Sequence, residues 1–127
     1  MSHPLHLRLR SARLFLGTGF ALLAGCRPSS GIPATPAEAQ AAIQRAFQNG
    51  DPKAQALASN VVTAIQNRKS TEAFLDLSAL TAAPGLTEPQ RIAAAQARAT
   101  LGRELRRQAD QGDKEAAQLL QMYQSSR

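Results

Sequence analysis

Few side chains in this 127-residue sequence could perform chemistry. There is one cysteine, Cys26, and the two histidines, His3 and His6, stand near the start. The remaining candidates are carboxylates. Glu72 and Asp76 lie one helical turn apart, and Asp110, Asp113 and Glu115 cluster around Gly112. Paired carboxylates do acid–base work when their surroundings push their pKa values apart. Here a plainer role covers each one. Asp113 suits a helix cap, Glu115 suits the positive end of a helix dipole, and the others suit a solvated face. Their spacing does not follow a calcium loop. The expectation is no catalytic residue, no metal site and no cofactor.

The basic residues raise a second possibility. Lys and Arg number 15 against 9 Asp and Glu, a formal net charge of +6. Arg98, Arg103, Arg106 and Arg107 concentrate in one stretch, where a helix would set Arg103 and Arg107 nearly opposite Leu101 and Leu105. They are candidates for contact with anionic lipid, lipopolysaccharide or another anionic surface, with Arg106 and Asp110 spaced to pair. Nucleic acid is not expected as a partner, because aromatics are only 4% of the chain and almost none interleave the charges.

The N-terminus has a different organisation. Arg8, Arg10 and Arg13 precede the uncharged run Leu14 to Ala24, and Leu23-Ala24-Gly25-Cys26 closes it. A run of this length is too short to span a bilayer and fits the apolar centre of a secretory signal. The tetrapeptide, an aliphatic residue and two small ones before a cysteine, resembles the lipobox of bacterial lipoproteins. That resemblance implies cleavage before Cys26, acylation of its thiol, and attachment to a membrane of the bacterial cell envelope. Arg27, in place of the aspartate that retains some lipoproteins at the inner membrane, implies the outer membrane or periplasmic face. An ordinary signal peptide releasing a secreted soluble helical protein is the alternative. Ser11-Ala12-Arg13-Leu14-Phe15-Leu16 lacks one arginine of the twin-arginine pattern, which favours general secretion.

On this reading residues 1–25 are a signal peptide, 26–36 a lipidated cysteine and flexible tether, and 37–127 an α-helical domain. The processed chain carries no histidine, so neither a Ser-His nor a Cys-His pair can form, and the protein is expected not to be an enzyme. Its net charge falls to +3, half the apparent basicity having belonged to the signal.

The tether reading rests on Arg27 to Pro36, rich in Pro, Ser and Gly. Beyond it the signals are helical. Thr35-Pro36-Ala37-Glu38 has capping-box spacing and opens a helix over about 36–49, closed by Asn49-Gly50. Asp51-Pro52 caps a second, and Ser70 a third that carries Phe74, Leu75, Leu77 and Leu80. Ala83-Pro84-Gly85-Leu86 is a stop. Thr87-Glu88-Pro89-Gln90 opens a fourth over about 88–111. Gly112-Asp113 repeats the Gly50-Asp51 arrangement, with glycine free to take the left-handed position, and a fifth covers about 114–125. The fold class expected is all-α, about five helices packed as hairpins. Gln111 to Tyr123 weakly resembles tetratricopeptide-like hairpins, although the two Gly-Asp copies stand further apart than such a repeat allows.

From Cys26 onward only 17 residues are Leu, Ile, Val or Phe. Alanine must mediate much of the packing, which predicts a thin core completed by a protein partner or by self-association.

Overall fold

A computed structural model describes residues 31–126. The signal segment, Cys26 and the first part of the tether lie outside the described residues. Five helices follow one another: α1 Pro36–Phe47, α2 Pro52–Gln66, α3 Ser70–Thr81, α4 Glu88–Asp110 and α5 Lys114–Ser125. There is no strand among the described residues, so the fold is all-α.

Local chemistry explains most of the boundaries. Thr87 Oγ1 accepts from the Gln90 backbone N–H at 3.3 Å, and the Gln90 side chain accepts from the Thr87 N–H at 3.0 Å, completing a capping box at α4. Asp113 accepts from the Ala116 N–H at 3.1 Å. Before it, Gly112 takes φ +96°, and the Asp113 N–H reaches back to the Gln108 carbonyl. This left-handed turn ends α4 and starts α5.

Three expected caps are built differently. Thr35 accepts from the Glu38 N–H as expected, but the Glu38 carboxylate takes the Ala34 N–H, one residue before the box position. Asp51 occupies the N-cap of α2 without a side-chain cap bond. Ser70 is the first helical residue of α3, not its cap; Lys69 is the cap residue. The preceding turn imposes that start. α2 ends with Arg68 in the left-handed region (φ 56°), and the Lys69 N–H is bonded to the Ala64 carbonyl. The same turn that uses Gly112 after α4 is made here by an arginine.

Gly50 also departs from expectation, because its φ is not positive and it does not repeat Gly112. A Cβ there would stand 3.1 Å from Gln90 Nε2. That amide donates to the Ala46 carbonyl, tying the start of α4 to the end of α1, so at Gly50 the requirement is space.

α1 packs against α2 and α4, α2 against α3, and α3 against α4, while α1 and α3, and α2 and α4, lie diagonally across from one another. The first four helices therefore form a closed ring, a four-helix bundle joined by short connections. α1 and α4 run antiparallel, since Gln90 meets Ala46 and Thr100 meets Pro33. α5 folds back along α4 and touches α3.

The core is alanine-rich. Nine of its twenty buried apolar residues are alanine, threaded by Ile43, Val61, Leu77, Leu80, Leu101 and Leu105. Small side chains let helix axes approach closely but remove little surface from water per residue.

Candidate functional site

α4 carries all four arginines singled out by sequence, and the structure separates them. Arg98 is half-buried, with its guanidinium 5.4 Å from the Phe74 ring centroid and 5.3 Å from that of Tyr123. The two rings meet edge to face at 4.9 Å, and the Tyr123 hydroxyl donates to Ser78 Oγ at 2.7 Å. This cluster joins α3, α4 and α5. Cation–π geometry on two faces holds the charge in an internal role.

Arg103 is exposed but donates from Nη2 to the Pro33 carbonyl at 2.8 Å. Thr100 Oγ1, itself buried, donates to the same oxygen at 2.6 Å. The far end of the expected tether is thus fixed to α4, and helical structure begins at Pro36.

Arg106 is exposed and forms no ion pair among the described residues; the pair expected with Asp110 is not made. The order explains this, because on a helix an acid four residues before a base pairs better than the reverse. Arg107 instead pairs with Glu104, donating from Nε to Oε2 at 3.0 Å, and from Nη1 to Gln111 Oε1 at 3.1 Å.

Glu104, overlooked in the sequence, is the centre of a polar chain. It also accepts from Gln108 Nε2, which donates to Ser70 Oγ as well, both at 3.0 Å. The Arg107 hydrogen bond holds the Glu104 carboxyl below its ordinary value against a smaller opposing effect of burial. The legible signal was the three-residue spacing of Glu104 and Arg107.

This chain lines a groove of about 530 Å³ at one end of the bundle, where α1 begins, α2 ends and α4 runs past. Ile65 and Leu101 contribute apolar surface, and Arg68, Glu104 and Arg107 contribute charge. Of the four arginines, only Arg107 lines it.

The carboxylates expected from sequence, Glu72, Asp76, Asp110, Asp113 and Glu115, stay apart from this groove. Asp76 is half-buried, and its carboxyl is raised by burial and then by the neighbouring Glu72 charge. Glu72 lies 3.5 Å from Lys69, Asp110 is exposed and Asp113 caps α5. Among the described residues no group of three or more His, Cys, Asp or Glu side chains is placed to hold a metal ion, and no helix is long and apolar enough to cross a membrane. No protein-family model, curated protein or solved structure matches this chain.

Proposed function

We propose that this chain is a small, non-enzymatic lipoprotein of a bacterial cell envelope, held by acyl chains on Cys26 and presenting a helical body to a protein partner or to a second copy of itself. The observation that carries this reading is Leu23-Ala24-Gly25-Cys26 at the end of an apolar run that follows three arginines. Each buried CH₂ of an acyl chain contributes about 0.8 kcal/mol to anchoring, and two or more chains hold a protein where one does so marginally. A water-soluble body can then remain at the membrane without a spanning helix.

The arginines do not act as one patch of four: Arg98 and Arg107 are held by partners within the bundle, and Arg103, although exposed, also holds the Pro33 carbonyl, which supports reading the body first as a scaffold.

Expression of Cys26→Ala with metabolic labelling by a fatty acid tests the proposal. The wild-type chain is expected to incorporate label, fractionate with membranes and migrate as a processed form. The variant is expected to accumulate as an unlabelled precursor. Unchanged mobility and membrane retention in Cys26→Ala would exclude the anchor.

A further inference from the structure

The outer face of α4 has a pattern that the bundle does not use. Ile92, Ala95, Ala99, Arg103 and Arg106 are all exposed and recur at steps of three and four residues, so they share one stripe. Ile92 is 47% exposed, and with Ala95 and Ala99 it gives the stripe an apolar stretch. Arg103 and Arg106 follow, and the exposed carboxylates Glu88 and Asp110 stand one turn beyond either end.

The chain also enters the body at this helix. Thr100 and Arg103 grip the Pro33 carbonyl from adjacent turns of α4, so residue 33 cannot drift to another side of the bundle. Ile32, immediately before it, is 53% exposed. From Cys26 to Ile32 the backbone reaches at most about 20 Å. A body tied to a bilayer through Cys26 is therefore held close to it by the α4 side.

We infer that this stripe, with Ile32, is a docking surface for an anionic bilayer, so that the body lies on the membrane along α4. The inference rests on the lipid anchor proposed above. The tether brings this face to the bilayer, and Arg106, which has no ion pair among the described residues, is its free cation. The apolar positions suit the boundary between headgroups and acyl chains, and the arginine stems can lie along it with their charges in the headgroup layer. Attraction to anionic lipid acts within about a Debye length, about 8 Å at physiological salt, which this tether permits. Arg98 and Arg107 take no part.

The test uses the processed, lipidated protein in phosphatidylethanolamine vesicles with and without phosphatidylglycerol. A fluorophore is placed at Ala99→Cys or, on α2, at Ser59→Cys, and quenching by lipids spin-labelled near the headgroup is measured. The expected result is stronger quenching at position 99 than at 59, increasing with phosphatidylglycerol. Arg106→Glu should reduce the docked fraction at position 99 about fivefold or more. Arg106 has no ion pair among the described residues, so its reversal leaves the fold intact; Arg103→Glu would add a larger loss at the cost of the Pro33 clamp. Equal quenching at both positions, or indifference to phosphatidylglycerol and to Arg106→Glu, would overturn the docking surface while leaving the anchor standing. Failure of the protein to float with the vesicles would overturn both.

Discussion

Arg68 holds a backbone conformation that L side chains adopt at a cost of about 1–2 kcal/mol, and it is the only non-glycine to do so among the described residues. Gly112 makes the equivalent turn after α4 without that cost. Arg68→Gly is therefore expected to raise stability, by up to about 1 kcal/mol once the greater freedom of glycine in the unfolded chain is subtracted. A urea titration of the two proteins checks it. Two carboxylates give opposite pH dependences. The Glu104 carboxyl titrates below its ordinary 4.5, so its contribution is present above that value and disappears as pH falls through the lower folded one. Glu104→Gln should be less stable than wild type at pH 7, with the gap closing as pH falls through the lowered folded value. Asp76 titrates above its ordinary 3.8, so its ionisation costs the folded state stability as pH rises through the raised value. Asp76→Asn should be at least as stable as wild type at pH 7, and that advantage should vanish in acid. Unfolding midpoints measured across this range would show whether the two differences have opposite signs.

Within the helices, two glycines on or beside α4 give contrasting expectations. Gly102 lies inside the helix, where an added Cβ would meet Phe74 at an ordinary 3.7 Å, so Gly102→Ala should stabilise by about 0.5–1 kcal/mol. Gly112→Ala puts a side chain at φ +96° and should destabilise by about 1–2 kcal/mol, loosening α5 first. Thermal melting of both variants tests the pair, and hydrogen exchange of α5 amides tests the location. The same contrast shows what a sequence can disclose. Thr87 with Gln90, and Gly112 with Asp113, were readable because every group in those caps lies within a few residues of its partner. Ser70 and Gly50 take roles other than those expected because these depend on the Arg68 turn and on Gln90, the latter 40 positions from Gly50. The arginine site was only partly legible for the same reason. Helix periodicity located the residues, but Phe74, Tyr123 and Pro33 decide what Arg98 and Arg103 do, and none of them shares their helix.

Across the whole molecule the core is thin, and the consequence is a large sensitivity to single truncations. Domains of this size are typically stable by about 5–15 kcal/mol, and removing a fully buried leucine costs about 2–5. Leu105→Ala should lower the melting temperature by about 10 °C or more, measured by circular dichroism. The ring closes through a pairing that is remote in the chain, since Thr100 meets Pro33 across 67 positions while α2–α3 and α4–α5 join immediate neighbours. Local hairpins can form as soon as their residues are available, whereas α1 must wait for α4, and long-range closure is slow because its loop entropy is lost before contacts reward it. The grip on Pro33 then belongs to the final step of assembly. Thr100→Val should therefore accelerate unfolding while leaving the refolding rate nearly unchanged, and the order in which the chain emerges becomes the order in which its bundle is completed.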